Sequence, residues 1–402
     1  MSSAEREPVA ITDLDHAATT RLRPEARAAM EPFLGDRYGN PSGAHALARD
    51  AVRAVDEARE RVAGLLGRAP GEVVFTSGGT EADVHAVTGG LPARSGTPVC
   101  SAVEHPAVLE PVHALGGRVV AVDALGRVDL DALDHLLAEL GPATSVVSVM
   151  AANNEVGTIN DLDAVAAVVR RHTDAPIHTD AVQAAAWLDL GDVAAPADLV
   201  SVSAHKFGGP KGVGVLVVRA GTALSPLLRG GGQERGRRSG TTNVAGVVGL
   251  AAALDATARD RARTNERVGA LRDRLADGLA AAVGDLRMTV APERDRSHLL
   301  PGTCHLTIEG ADSEELLLLL DRAGVAASAA SSCASGAQHA SHVLAALVAA
   351  GNPAAASGGA SLRLSLGWDS TEADVDRVLT VLPEAVGRIR AHRGRVLDAG
   401  RP

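Results

Sequence analysis

The chain has 402 residues, of which 46% are hydrophobic and 22% charged, enough for two domains and a large core. A net charge of −10 argues against nucleic acid or an anionic membrane as the main partner, and three cysteines with no CxxC pair exclude a disulfide framework and a cysteine metal site. The N-terminal MSSAEREPVA lacks the apolar stretch of a secretory signal. The longest apolar run, Val244 to Leu254, makes only about three helical turns, so the expectation is a cytoplasmic protein with neither metal nor membrane.

In chain order, a short strand at Ile11 to Leu14 leads into the polar turn Asp15-His16-Ala17-Ala18-Thr19-Thr20. Pro24 then opens a helix at its favoured first position. The loop Tyr38-Gly39-Asn40-Pro41-Ser42-Gly43 precedes an amphipathic helix from about Ala44 to Leu66, with Arg and Glu at three- and four-residue spacings on its exposed face. Strands are predicted at Val73 to Thr76, Val99 to Ala102, Val119 to Val122, Ser145 to Met150 and Ile177 to Thr179. Helices are predicted after Gly79, after His105 and near Leu130 to Leu140. Leu199 to Val202 reads as a strand buried in a parallel sheet, and Val213 to Val218 as a second of the same kind. Such alternation predicts an α/β fold, a mainly parallel sheet with helices on both faces. The Arg-rich segment from Val244 to about Val283 reads as a linking helix. A smaller unit follows: strand Cys304 to Ile308, helix Ser313 to Arg322, a small-residue tract at Ala326 to Ala340, a helix near His342 to Ala350, strand Leu362 to Leu366 and a last helix from Glu372.

Ligands of an open α/β sheet sit at the carboxyl ends of its strands. Between the two strands around residue 206 lies Ala204-His205-Lys206-Phe207-Gly208-Gly209. A desolvated lysine beside another cation becomes a nucleophilic amine, although a lysine merely capping a strand end has the same local sequence. Ser77-Gly78-Gly79-Thr80-Glu81 forms a glycine turn opening a helix, suited to a phosphate or to an ordinary N-cap. At the same edge fall Glu104-His105-Pro106, Asn153-Asn154 and Asp180 with Gln183 three residues on, each able to serve as a cap or as a ligand group. An amine, a buried anion, an anion-binding turn and a flat ring together are what pyridoxal phosphate requires. A nucleotide reading of Gly208-Gly209-Pro210-Lys211-Gly212 fails, because the P-loop needs Ser or Thr after its lysine and a longer glycine spacing.

From Leu14-Asp15-His16-Ala17-Ala18-Thr19-Thr20 to Ser361-Leu362-Arg363-Leu364-Ser365-Leu366-Gly367, the sequence resembles the cysteine desulfurases, of the class-V aminotransferase group. Intermediate matches include Gly39-Asn40-Pro41-Ser42, Thr76-Ser77-Gly78-Gly79-Thr80-Glu81, Asn153-Asn154-Glu155-Val156-Gly157, His178-Thr179-Asp180-Ala181-Val182-Gln183, Ser203-Ala204-His205-Lys206 and Arg238-Ser239-Gly240-Thr241. The resemblance implies the aspartate-aminotransferase-like fold of pyridoxal 5'-phosphate enzymes. Residues 1–20 would join the small domain, 21–260 would form the large cofactor domain, and 261–402 the small α+β domain. It also implies roles. Lys206 holds the cofactor aldehyde and shuttles protons, Asp180 binds the pyridinium proton, Gln183 the ring hydroxyl, and His105 stacks on the ring. Gly79, Thr80, Ser203 and His205 hold the phosphate, joined by Thr241 from the second subunit of a homodimer. Asn154 lies at cofactor and substrate, and Arg363 binds the substrate carboxylate.

The nucleophile implied by the resemblance is Cys333 in Ser331-Ser332-Cys333-Ala334-Ser335-Gly336. Its small, polar neighbours suit an exposed, movable thiol, and with no flanking Lys or Arg its activation must come from the site it enters. Cys100 and Cys304, in strand-like runs, read as small buried hydrophobes. The implied reaction converts L-cysteine to L-alanine, leaving a persulfide on Cys333 for an acceptor protein in iron–sulfur cluster assembly or tRNA thiolation. A selenocysteine lyase or other β-lyase would use the same residues, and a poorly active sulfur-transfer scaffold is the third reading. Val84, where the family usually has asparagine, and Ala329-Ala330-Ser331-Ser332 before the cysteine depart from the family pattern.

Overall fold

The computed structural model describes residues 11–89, 95–291, 296–329 and 341–399, with side chains to 393. Two compact units emerge: one built from residues 19–154 and 158–263, the other from residues up to 18, from Glu155–Gly157 and from 264 onward. Cys333 lies outside the described residues. None of the described helices is long and apolar enough to cross a membrane.

The first unit is organised around a seven-stranded sheet, in the order Val73–Thr76, Gly214–Val218, Leu199–Ser203, Ile177–Asp180, Thr144–Ser148, Thr97–Ser101, Arg118–Val120. The five strands from Leu199–Ser203 to Arg118–Val120 pair in parallel. They are linked by crossovers such as the Pro106–Ala114, Leu130–Leu140 and Leu162–His172 helices. Central strands are buried along their whole length, as the near-continuous Val, Leu and Ser runs suggest for a sheet covered on both faces. Aromatic side chains being scarce, alanine does the close packing: Ala82 and Ala86 of the Gly79–Thr88 helix lie against Val74, Leu199, Leu216 and Val218.

One strand departs from the sequence reading. Gly214–Val218 runs antiparallel to both Leu199–Ser203 and Val73–Thr76. A parallel return needs a crossover of a dozen or more residues, and the Ala204–Val213 connection holds no α-helix to provide it. The chain therefore doubles back, and the loop carrying Lys206 stays at the carboxyl edge. Gly214 is where that return crosses the turn before the Gly79–Thr88 helix: a Cβ there would lie 2.7 Å from the Gly78 carbonyl carbon.

In the second unit Ala360–Ser365, Thr303–Ile308 and Leu286–Met288 form an antiparallel sheet, while Thr12–Asp13 pairs in parallel with Val325–Ala326. The Ser313–Arg322 helix is capped by Asp312, whose carboxylate accepts the N–H groups of Glu314 and Glu315. The helix Val244–Ala282 runs through the boundary at residue 263 and belongs to both units.

Candidate active site

Lys206 ends a single 3-10 turn, Ala204–Lys206, directly after the strand Leu199–Ser203. The turn is fastened from distant parts of the chain. Thr20 donates through its N–H and Oγ1 to the His205 carbonyl at 2.9 and 2.8 Å, and accepts the Gly208 N–H at 2.8 Å. The Phe207 carbonyl accepts from Arg23 Nε at 3.2 Å and Thr257 Oγ1 at 3.1 Å. Gly208 has φ +86°, and a Cβ there would strike Arg23 Cγ at 2.4 Å, so glycine is required for this fastening. His205 Nδ1 pairs with Thr19 Oγ1 at 3.1 Å; burial, then Lys206 and Lys211, lower the imidazole to about 4 and leave it neutral.

Asp180 closes the neighbouring strand and is buried. Its Oδ1 accepts the Val182 N–H at 2.8 Å. Burial raises its carboxyl above the ordinary range, and the groups favouring its ionised form are His105, the Val182 N–H and Lys206. Lysine, imidazole and carboxylate are thus brought into one electrostatic neighbourhood, as the strand-end rule suggests. His105 caps the Pro106–Ala114 helix, its Nδ1 accepting the Ala107 N–H at 3.1 Å. That bond puts the proton of the neutral ring on Nε2. Gln183 is buried three residues beyond Asp180. Asn154 is half-buried on the loop after strand Thr144–Ser148, and neighbouring Asn153 donates to the Val103 carbonyl at 2.9 Å, joining that loop to the one bearing His105.

The glycine turn lies against the lysine strand. A Cβ on Gly79 would come within 2.8 Å of Val182 Cγ2 and 3.4 Å of Ser203 Cβ, while Thr80 is exposed in the helix's first turn. Backbone N–H groups, the Thr80 and Ser203 hydroxyls and a helix N-terminus are a donor set able to take a phosphate. Together with a buried carboxylate beside an amine, this donor set fits pyridoxal phosphate. Thr241 is exposed on the loop before the Val244–Ala282 helix. Arg363 belongs to the other unit, where its side chain is buried, donates to Asp15 at 2.8 Å and lies beside Glu155.

Beneath Asp180 is a layer that motif reading passed over. His178 precedes it by two residues on the same strand, hence on the same face. Its ring nitrogens meet Ser148 Oγ at 2.8 Å and Ser201 Oγ at 2.9 Å, and Nε2 stands 3.5 Å from Asp83. Burial lowers His178 to about 3, so it is neutral. Burial and the nearby Asp180 push Asp83 well up. Glu104 is also raised, to about 8, chiefly by burial. Burial thus favours the protonated form of both neighbouring carboxyls, while Asp180, also raised by burial, has His105, the Val182 N–H and Lys206 to favour its ionised form. The available signals were the spacing of two before Asp180 and the acid next to His105. Cys100 and Cys304 are buried, and burial raises both thiols, Cys304 to about 12, as suits small hydrophobes.

The family model for class-V aminotransferases matches residues 13–378. A cysteine desulfurase of Gluconacetobacter diazotrophicus is 42% identical over 386 residues, with 94% of each chain covered. An IscS-like cysteine desulfurase of Mycobacterium tuberculosis is 43% identical, with 94% of this chain and 96% of that one covered. Among solved structures, a NifS-like protein superposes with a TM-score of 0.85 at 34% identity, covering 94% of this chain and all (100%) of the other. SspA in complex with cysteine gives 0.73 at 29% identity, covering 89% and 99%. The α/β architecture with its mainly parallel sheet is the pyridoxal phosphate fold type I expected from the sequence. The chain belongs to the class-V aminotransferase family.

Proposed function

We propose that this protein is a pyridoxal phosphate-dependent L-cysteine desulfurase, a homodimer of the cytoplasm that passes sulfur to an acceptor protein of cluster assembly or tRNA thiolation. The observation that carries the reading is the buried Asp180 beside Lys206 and His105, at the strand edge that also bears the Gly79 turn. Pyridoxal phosphate supplies an electron sink for charge at the substrate α-carbon. Asp180 holds the pyridinium proton, Gln183 the ring hydroxyl, and Gly79, Thr80, Ser203, His205 and the partner's Thr241 the phosphate. Lys206 Nζ anchors the aldehyde and, when free, takes and returns the α-proton. His105 covers the ring and holds a proton at Nε2. Asn154 and the Arg363 fork take the substrate carboxylate. The Cys333 thiolate attacks the substrate sulfur; its carbon–sulfur bond breaks, that carbon gains a proton, and alanine leaves while a persulfide stays on Cys333.

Alanine release from L-cysteine under a reductant tests this. The wild type should release alanine, whereas Cys333→Ala should lose at least about a hundredfold of the rate, as removal of a covalent nucleophile does. Equal rates from both would move sulfur transfer away from Cys333 and favour a lyase route. If neither releases alanine, the desulfurase reading is wrong.

A further inference from the structure

The phosphate cradle carries an anion of its own. Glu81, in the first turn of the Gly79–Thr88 helix, accepts the Ser77 N–H through Oε2 at 2.8 Å. A carboxylate there competes with a bound phosphate for the positive end of the helix, and two anions at one helix start repel. Arg238 meets Glu81 bidentately, Nε to Oε1 at 2.8 Å and Nη2 to Oε2 at 3.2 Å, with the two side chains 20% and 11% exposed. Burial raises the Glu81 carboxyl, but Arg238 and Ser77 outweigh it and hold it below the ordinary range.

The loop that delivers Arg238 is itself fastened to the same strand–turn–helix. Glu234 and Arg235 sit at φ +50° and +57°, left-handed backbone that non-glycine residues avoid. What holds them there is Glu234, which accepts from Arg59 at 2.7 and 2.8 Å and from the Phe75 N–H at 3.0 Å. Beyond it, Gly240 donates to Gln233 Oε1 at 3.0 Å and Gly232 to Ser239 Oγ at 3.3 Å, closing the loop on itself. Both flanks of the phosphate turn, Phe75 before it and Glu81 after it, are therefore clamped by one loop.

We propose that Arg238 is a positioning residue for the cofactor phosphate: it neutralises Glu81, so that the helix N-terminus presents net positive charge to the phosphate. The inference rests on the pyridoxal phosphate reading. Its test is the affinity of the full-length apoprotein for pyridoxal phosphate and for pyridoxal, which lacks the phosphate, measured by spectroscopic titration. Arg238→Gln should weaken pyridoxal phosphate by about tenfold or more and pyridoxal by less than about twofold, the signature of charge at the phosphate. Adding Glu81→Gln, whose amide oxygen can still accept the Ser77 N–H, should recover most of that loss. Arg238→Lys, which keeps the charge, should stay within about threefold of wild type. Equal weakening of both ligands by Arg238→Gln, no weakening at all, or no recovery in the double variant would overturn the inference and leave the cofactor reading standing. A wild type that binds neither ligand would sink the cofactor reading, and the inference with it.

Discussion

Glu104 shows how burial acts on an acid of the site. Its Oε1 accepts the Met150 N–H at 2.7 Å and the Ser101 hydroxyl at 2.8 Å, yet burial outweighs both bonds and Asp180 adds to it, raising the carboxyl to about 8. The unfolded chain releases this proton near the ordinary value of 4.5, whereas the folded chain keeps it. Stability therefore falls as pH rises between those two values and levels off above about 8, with a slope of about 1.4 kcal/mol per pH unit. Glu104→Gln cannot titrate, and its amide oxygen can keep both bonds. Near pH 5 it should match the wild type in urea midpoint, and near pH 7.5 it should be the more stable by roughly 3 kcal/mol. A difference that does not grow with pH would mean that Glu104 is ionised in the fold. The sequence displayed this acid beside His105, but burial is what gives it this behaviour, and burial depends on strands far away in the chain.

At the scale of elements, the carboxyl edge was legible because strand–helix alternation fixes which strand ends share an edge. Lys206, His105 and Asp180 could be placed there without coordinates. What was not legible came from long-range fastening. Gly214–Val218 turned antiparallel because its connection is short, and Arg59 found Glu234 across 175 residues. That pair is 7% exposed on each side, with Arg59 also donating to the Val73 carbonyl at 2.7 Å and lying 4.6 Å from the Phe75 ring centroid. Removing one partner of a buried pair leaves an uncompensated charge, and here it also frees strained backbone at Glu234 and Arg235. Arg59→Met should therefore cost about 3–5 kcal/mol in urea unfolding. Arg118→Ala, which breaks the exposed pair with Glu139, should cost less than about 1 kcal/mol. Comparable losses from the two would show that the Arg59 pair is not desolvated as its burial implies.

For the whole molecule, the question is whether the two units unfold together. The sequence reads as one long Arg-rich linking helix here, but periodicity does not say where one core ends and the next begins. The structure places that change inside the continuous helix Val244–Ala282, between Arg263 and Thr264. A helix without a break passes fraying on one side to the other through its hydrogen-bond ladder, so it should couple the units. The chain's two tryptophans allow a direct reading, since Trp187 lies in one unit and Trp368 in the other. Single-tryptophan variants, Trp187→Phe and Trp368→Phe, should give the same urea midpoint. Arg263 is exposed and pairs with Asp260 one turn back, so proline can be introduced there without disturbing a core. Arg263→Pro removes a ladder bond and clashes with the preceding turn, at a cost of about 3 kcal/mol or more. In that background the two tryptophan midpoints should separate, the unit with fewer internal restraints melting first. Midpoints already separate in the unaltered helix would mean that each unit folds on its own core, and that the long helix joins them without coupling them.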